Sequence, residues 1–288
     1  MNSQKIAILT DSCADLTEEL IAHHPIYVVP LKIRCADGEF DDGVTIHAKD
    51  IYARLEMGQL PKTSLPTGEM VEQVLRQIYA DGYEKIVAIP LSSGLSGTYN
   101  LFRLASGVLE GKLEMKVFDS LSGALGEGAI VLQAAEDIEN GMSWEELTQQ
   151  RIPALIAGVS AYFSVDTLEY LQKGGRIGKV TAMAGTLLSI KPVITFAEDG
   201  QLQSVAKVRG RKAVADKLLE LVREKTAGHK RYNLAVANGG APEEMAALRA
   251  RIEAEFPNYD HFWEAEMDAT LSVYIGSGVL GAGVMVLD

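Results

Sequence analysis

The first half of the chain combines two hydrophobic patterns, short apolar runs and a helical period. Short apolar runs typical of buried strands lie at 6–9, 27–32, 85–90 and 115–118. Between these runs, apolar residues recur every three or four positions, which predicts amphipathic helices at 17–23, 49–57, 70–80 and 99–109. Short apolar strands separated by amphipathic helices predict a parallel sheet with helices on its faces.

The second half predicts a mixed sheet. Ser143 and Glu146 have the spacing of a capping box, so we expect a helix from Trp144 that Pro153 interrupts. An Asp-Gly pair at 199–200 predicts a hairpin between the runs at 192–197 and 201–208. The same reasoning predicts strands at 158–164 and 232–238, and helices at 167–172, 212–226 and 242–256, the first of them stopped by Gly174 and Gly175.

The length of 288 residues exceeds the usual size of a single core, so we predict an α/β protein of two domains. Residues 1–155 are predicted to form an N-terminal domain with a mainly parallel sheet flanked by helices. Residues 156–288 are predicted to form a C-terminal mixed α/β sheet domain. The uncharged stretch at 269–287 holds four glycines and barely reaches spanning length, so we expect a buried final strand and no membrane insertion.

Charge and cysteine content narrow the function. A net charge of −12 argues against nucleic acid and against attraction to anionic membranes. Cys13 and Cys35 match neither a metal-ligand spacing nor a disulfide framework. Because the first ten residues lack the apolar core of a signal peptide, the expected location is the cytoplasm.

Two hydroxyl-rich clusters are the strongest candidates for chemistry. They lie at 63–67, with Thr63, Ser64 and Thr67, and at 92–98, with Ser92, Ser93, Ser96 and Thr98. Each is predicted to be a loop ahead of a helix, where backbone N–H groups and the helix dipole favour an anion. Simple helix capping is the alternative, although capping needs one hydroxyl and the second cluster offers four.

Other motifs do not support a site. The GxGxxG pattern at 276–281 lacks the following helix that a dinucleotide site requires. The five histidines show no ligand spacing, and the acidic run at 37–42 is expected to be a solvated loop. We therefore expect no metal and no cofactor.

The two clusters, the segment LEYLQKGGRIG at 168–178 and the Thr10-Asp11-Ser12 motif together resemble the DegV family over essentially the whole chain. The resemblance implies a long-chain fatty acid held between two α/β domains, with its carboxylate on the hydroxyl loops. It also implies a separate ATP-dependent fatty acid kinase that phosphorylates the presented carboxylate. Thr63 and Ser93 are the preferred carboxylate contacts, with Ser92 and Ser96 as alternatives.

The resemblance implies further residue roles. Tyr274 stands where the family often has a histidine, so it would donate a hydroxyl to the carboxylate but carry no charge at neutral pH. The full set of implied ligand contacts is Thr63, Ser64, Ser92, Ser93, Gly94, Ser96 and Tyr274. Arg176, Arg209 and Arg211, with Lys212, are implied to help dock the kinase or its nucleotide phosphates.

Two other functions remain open from the sequence. A clustered serine could make the chain an autonomous acyl hydrolase or transferase, although neither a nucleophile elbow nor a base for the serine is evident. The chain could instead bind another small anionic metabolite, although a phosphate site usually adds basic residues and only Lys62 adjoins a cluster. The carrier function predicts no catalysis by the chain itself.

Overall fold

The computed structural model describes residues 2–108, 111–183 and 190–288. The strands are β1 Ile6–Asp11, β2 Ile26–Val29, β3 Lys32–Cys35, β4 Gly38–Asp41, β5 Lys62–Ser64, β6 Lys85–Ala88, β7 Glu114–Val117, β8 Val159–Ser164, β9 Ile190–Phe196, β10 Leu202–Arg209, β11 Tyr232–Gly239, β12 Phe262–Glu266 and β13 Val279–Val286. The helices are α1 Glu18–Ile21, α2 Ala48–Glu56, α3 Gly68–Ala80, α4 Thr98–Ala105, α5 Leu125–Glu139, α6 Trp144–Glu146, α7 Ile152–Gly158, α8 Glu169–Lys173, α9 Lys212–Thr226, α10 Pro242–Glu255 and α11 Ala269–Ile275.

A parallel sheet forms the N-terminal part, with the strand order β2-β1-β6-β7. Alternate residues of β1 pack into two different hydrophobic cores, because successive side chains of a strand point to opposite faces of the sheet. Ala7 and Leu9 pack with α3 and α4 on one face, whereas Ile6 and Ile8 pack with α5 on the other. This arrangement confirms the predicted parallel sheet with helices on both faces. The predicted helix end at 109 lies outside the described residues.

A mixed sheet forms the C-terminal part, with the order β10-β9-β8-β13-β11-β12. Its pairs are antiparallel except for β11 with β12. Helices α9 and α10 pack on one face through a core that includes Leu218, Leu248 and Val284. The Asp-Gly pair lies between β9 and β10, so the predicted hairpin is confirmed.

Helix α5 was missed by the hydrophobic pattern. Its residues from Leu125 to Ala135 are all buried, because the helix packs against β1 and also against β8, β11 and β13. A helix covered on several sides shows no polar stripe and therefore no amphipathic period. It lies between the two sheets, and the predicted boundary at 155 falls inside α7.

The run at 27–32 is two strands, not one. Pro30 has no N–H to donate, so the chain leaves the parallel sheet after β2 and enters a second one. There β3 pairs with β4 and β5 in an antiparallel sheet of three strands among the described residues. The acidic run is thus part of a hairpin rather than a solvated loop, and Thr63 lies in strand β5 rather than in a loop.

The segment at 269–287, predicted to be a final strand, begins with helix α11. The carboxylate of Asp268 accepts a hydrogen bond from the N–H of Leu271 and caps α11, and Gly276, with φ of 68°, ends it. Strand β13 follows and contains Gly281, so the GxGxxG glycines lead into a strand and not into a helix, as expected.

The expected break at Pro153 is also absent. A π-helical turn at Leu147–Arg151 connects α6 to α7, and Pro153 lies in the first turn of α7, where a backbone N–H is not required.

Candidate binding cavity

A cavity lies between the mixed sheet and the helices α5 and α11. It contains about 910 Å³ of empty space, including the part open to solvent. Leucine, phenylalanine, alanine, glycine and valine dominate its wall. The polar side chains among the lining residues are Thr63, Ser96, Tyr162, Arg176, Thr270 and Tyr274.

Small residues on one face of the mixed sheet provide the space. Gly281 and Gly283 of β13 pair with Ala237 and Ala235 of β11, and Gly283 also pairs with Ala161 of β8. All five line the cavity. Larger side chains at these positions would fill the gap between sheet and helix. The strand pairing therefore produces a continuous apolar trough.

Thr63 and Tyr274 meet at one end of the trough. Their hydroxyls are hydrogen-bonded to each other, although 211 residues separate them in sequence. Thr63 is placed by the pairing of β5 with β3, opposite Ile33. Tyr274 is placed by α11, one turn after Thr270.

Ser96 reaches the same end from the second hydroxyl cluster. Its hydroxyl contacts that of Thr98 at 2.9 Å, and the neighbouring Gly97 is the N-cap residue of α4. A Cβ on Gly97 would lie 3.2 Å from Leu65, so the two hydroxyl clusters approach closely there. Thr67 caps α3 through the N–H of Met70. Capping therefore accounts for one hydroxyl of the first cluster.

The remaining residues of the second cluster hold the loop in place. The buried hydroxyl of Ser92 donates to the carbonyl of Gly200, at 2.8 Å, in the turn of the β9–β10 hairpin. Gly94 packs against the same turn, where a Cβ would lie 2.5 Å from the Gly200 carbonyl carbon. Ser93 is exposed, and its N–H donates to Asp119. Of the three candidate serines, Ser96 is the one that lines the cavity; Ser64, in β5, is exposed and lies outside the lining.

The three arginines have different surroundings. Arg176 lines the cavity, with its guanidinium 5.1 Å from the centre of the Tyr274 ring. It also donates to the carbonyls of Leu95 and Gly174. The family resemblance implies a docking role for Arg176, so its position in the cavity lining adds a cation to the hydroxyl end. The Gly-Gly-Arg turn after α8 was the signal that marked it.

Arg209 and Arg211 lie at the end of β10 and just before α9. Arg209 is exposed. Arg211 is hydrogen-bonded to Glu244 and to the carbonyl of Gly278, so it joins α10 to the loop before β13. Its guanidinium therefore already has partners within the fold.

Thr270 was missed by sequence reasoning. It is 2% exposed, and within the described residues its hydroxyl has no hydrogen-bond partner. A buried hydroxyl without a partner is costly, and here it belongs to a residue that lines the cavity. Because Thr270 and Tyr274 are one helical turn apart, α11 presents both to the same space.

Buried carboxyls support the head end from behind. Asp11 accepts from the N–H groups of Leu91 and Cys13, which fixes the start of the second cluster. Burial raises the pKa of Asp11 to about 6. Asp42 accepts from the N–H groups of Ala269 and Thr270 at the start of α11.

Asp15 and Asp268 form a carboxyl pair beside the same helix. Asp15 accepts from the backbone N–H of Asp268 at 2.8 Å. Burial raises the pKa of Asp15 to about 7 and raises the pKa of Asp268 well above its ordinary value. One oxygen of each carboxyl has no other partner in the described part of the chain, so a shared proton satisfies both.

Cys13, Asp42 and Asp268 place one ligand atom each within 4.8 Å of one another. Burial raises the pKa of the Cys13 thiol, which disfavours the thiolate that a metal needs. Both oxygens of Asp42 already accept hydrogen bonds from the α11 backbone. This set is therefore explained by helix capping.

Comparison with known proteins identifies the family. The profile of the DegV family, described as an uncharacterised protein family, matches residues 5–286. A DegV domain-containing protein of Clostridium acetobutylicum is 36% identical over 280 residues, which cover 96% of this chain and 98% of the relative. The chain belongs to the DegV family. The predicted resemblance is confirmed.

Solved DegV structures share the whole fold. A fatty-acid-binding DegV protein from Thermus thermophilus aligns over 100% of both chains, with a TM-score of 0.92 and 30% identity. A stearic-acid-binding protein from Eubacterium ventriosum aligns over 98% of both chains, with a TM-score of 0.89 and 27% identity. No described helix of the present protein has the length and apolar character needed to cross a membrane.

Proposed function

We propose that this protein binds one long-chain fatty acid between its mixed sheet and the helices α5 and α11. The observation that carries the proposal is the apolar trough with Thr63, Ser96, Arg176 and Tyr274 gathered at one end. Burying each methylene of a hydrocarbon chain contributes about 0.8 kcal/mol, so a long tail supplies affinity and the polar end sets orientation. The family relationship and the fatty-acid-binding neighbours support the same ligand class.

The carboxylate is proposed to lie among Thr63, Ser96, Thr270 and Tyr274. Hydroxyls donate to a carboxylate, and the unpartnered hydroxyl of Thr270 gains an acceptor when the ligand binds. The Arg176 guanidinium adds a positive charge beside Tyr274. Ser96 replaces Ser93 as the preferred serine because Ser96 lines the cavity whereas Ser93 is exposed outside it.

The finer proposal is that the chain presents the carboxylate to a separate ATP-dependent kinase, which forms the acyl phosphate. Exposed residues surround the polar end, among them Ser64, Leu65 and Arg176, so a partner can approach the head group. The protein then contributes position and orientation rather than proton transfer. Arg209 remains a candidate for docking that partner.

Native mass spectrometry of the purified protein tests the ligand. We expect a mass increment equal to one fatty acid, which disappears after denaturing extraction and is recovered as a free acid in the extract. A phosphorylated metabolite in its place would support the alternative anion-binding function. Protein that carries no lipid and takes up none from solution would contradict the proposal.

An assay with ATP and fatty acid tests the division of labour. The protein alone should form no acyl phosphate and hydrolyse no acyl ester, and acyl phosphate should appear when a fatty acid kinase is added. Ester hydrolysis by the lone protein that is lost in Ser96→Ala would support the serine-enzyme alternative. The hydroxyls of Ser92 and Ser96 are bonded to a carbonyl and to another hydroxyl, so within the described residues neither is paired with a general base.

A further inference from the structure

A second, smaller void adjoins the cavity described above, and we call it the inner void. It contains about 190 Å³ of empty space, including the part open to solvent. Four residues line both spaces, namely Leu125, Gly126, Ala235 and Gly283. The two spaces therefore share a wall rather than lying in separate parts of the fold.

The inner void continues the trough in one direction. Along β13 the lining moves from Gly281 in the cavity to Met285 in the void, and along β11 it moves from Ala237 to Asn233. Because β13 and β11 are antiparallel, these two shifts point the same way. Gly283 lines both spaces, and the two residues from Gly283 to Met285 correspond to about 7 Å, so the trough extends beyond the cavity by about that length.

Gly283 lies at the passage between the two spaces. It is in the middle of β13, which is paired on both sides, yet it is only partly buried. A Cβ built there would lie 3.4 Å from the Cβ of Ala235 and 3.7 Å from the carbonyl of Ser160. These are ordinary contacts, so the fold tolerates a small side chain that narrows the passage.

The far end of the inner void lies at Asn233, Trp263 and Met285. Asn233 donates to Gln133 at 2.7 Å and accepts from the N–H of His261 at 3.0 Å, so its amide is already satisfied. Trp263 and Met285 complete the wall. An apolar space with satisfied polar groups suits a hydrocarbon end and does not suit a second polar head.

We propose that the inner void receives the methyl end of the acyl chain and that Gly283 determines how long a chain the protein accepts. This inference rests on the proposed fatty acid binding. Chains that end in the cavity do not pass Gly283, whereas longer chains must. The wall at Trp263 then sets the upper limit of length.

A chain-length series tests the inference. Dissociation constants of saturated acids from C12 to C20 are measured by displacement of a fluorescent fatty acid from wild type, Gly283→Ala and Gly283→Val. Each methylene that enters apolar space should tighten wild-type binding about fourfold. For Gly283→Val, the ratio to wild type should stay near one for the shortest acids and exceed about tenfold for the longest, which is the effect of two lost methylenes.

Gly281→Ala is the matched control, because Gly281 lies on the same strand and face as Gly283 but lines only the cavity and not the inner void. It should weaken all acids by one common factor. Trp263→Phe, which enlarges the far end, should shift the preferred length upward and serves as the second probe where Gly283→Val does not fold. The inference would be overturned if Gly283→Val weakened the binding of all acids by one common factor and Trp263→Phe left the preferred chain length unchanged. Wild type that binds no acid of any length would instead contradict the proposed function.

Discussion

Single hydroxyls decide the chemistry of the head end. Thr63 comes from strand β5, Ser96 from the loop before α4, and Thr270 and Tyr274 from the short helix α11, and each lines the cavity. Ser93 is three positions from Ser96, but it is exposed and does not line the cavity. The local sequence around these two serines is nearly equivalent, so their comparison isolates the effect of position.

Removal of the Ser96 hydroxyl should weaken fatty acid binding, whereas removal of the Ser93 hydroxyl should not. Hydrogen bonds to a charged group contribute about 1.5–3 kcal/mol, so Ser96→Ala and Thr63→Val should each raise the dissociation constant by at least about tenfold. Displacement titration measures this, and Ser93→Ala is the matched control. Loss of affinity in Ser93→Ala with none in Ser96→Ala would return the carboxylate to the original preference.

The Arg176 charge should make binding depend on salt. Arg176 stacks on Tyr274 at the cavity, whereas Arg209 is exposed at the end of β10. Arg176→Gln should weaken binding and reduce the dependence of the dissociation constant on ionic strength, because screening acts on the removed charge. Arg209→Gln should leave both unchanged. Equal salt dependence in wild type and Arg176→Gln would show that this guanidinium does not contact the carboxylate.

At the scale of elements, two close contacts position the head end. The turn of the β9–β10 hairpin holds the second hydroxyl cluster through Ser92 and Gly94. Helix α11 is held by the carboxyls of Asp15, Asp42 and Asp268 at its first turn. Both contacts join the N-terminal part of the chain to the C-terminal part.

A side chain at Gly200 should destabilise this joint. Gly200 has φ of +72°, and a Cβ would lie 2.0 Å from the Ser92 hydroxyl. Gly228 has φ of +85° but open space around it. Gly228→Ala should cost about 1–2 kcal/mol of unfolding free energy from backbone strain alone, and Gly200→Ala should cost clearly more. Urea unfolding measures both, and equal losses would mean that the loop moves away without cost.

The carboxyl pair predicts a pH dependence of stability. Because the pKa of Asp15 rises from 3.8 to about 7 on folding, the folded state binds the proton more tightly than the unfolded state. The resulting stabilisation is complete below pH 3.8 and is lost as the pH rises to about 7. Asp15→Asn should flatten this decline by more than about 1 kcal/mol in urea unfolding between pH 4 and 8.

Asp37→Asn is the control for that measurement. The exposed Asp37 is paired with Arg54, which lowers the pKa of Asp37. The contribution of Asp37 to stability therefore changes with pH in the opposite direction to that of Asp15. It should leave the decline between pH 4 and 8 in place. An identical decline in wild type and Asp15→Asn would assign the dependence to other carboxyls, such as Asp11.

At the scale of the whole molecule, the cavity separates the mixed sheet from the helices α5 and α11. An apolar trough left empty lacks the packing contacts of an ordinary core. A bound fatty acid would supply those contacts to the mixed sheet and to both helices at once. Stability should therefore depend on the ligand.

Removal of lipid should lower the thermal midpoint. A ligand at one hundred times its dissociation constant stabilises the folded state by about 2.7 kcal/mol. Protein delipidated on a hydrophobic resin should melt at a lower temperature in scanning calorimetry and recover on addition of stearate. Decanoate, whose shorter tail fills less of the trough, should restore less. If neither stearate nor decanoate changed the thermal midpoint, that result would contradict a fatty acid bound in the cavity.

Local chemistry made much of this protein predictable from its sequence. The short apolar runs and the 3.6-residue period identified the parallel sheet and its helices, and Asp199-Gly200 identified the hairpin, because each signal lies within a few neighbouring residues. Each of the hydroxyl clusters at 63–67 and 92–98 contributes one hydroxyl to the cavity lining, Thr63 and Ser96. The family followed from these same motifs.

Long-range contacts decided the rest. The approach of Thr63 to Tyr274, across 211 residues, cannot be deduced from either segment alone. Helix α5 has no local period because two sheets bury it, and α11 begins where a distant Asp42 accepts its first N–H groups. The choice of Ser96 over Ser93, and the place of Arg176 in the cavity, depend on which side of a loop faces the other sheet. Only the packing of the two halves against each other determines that direction.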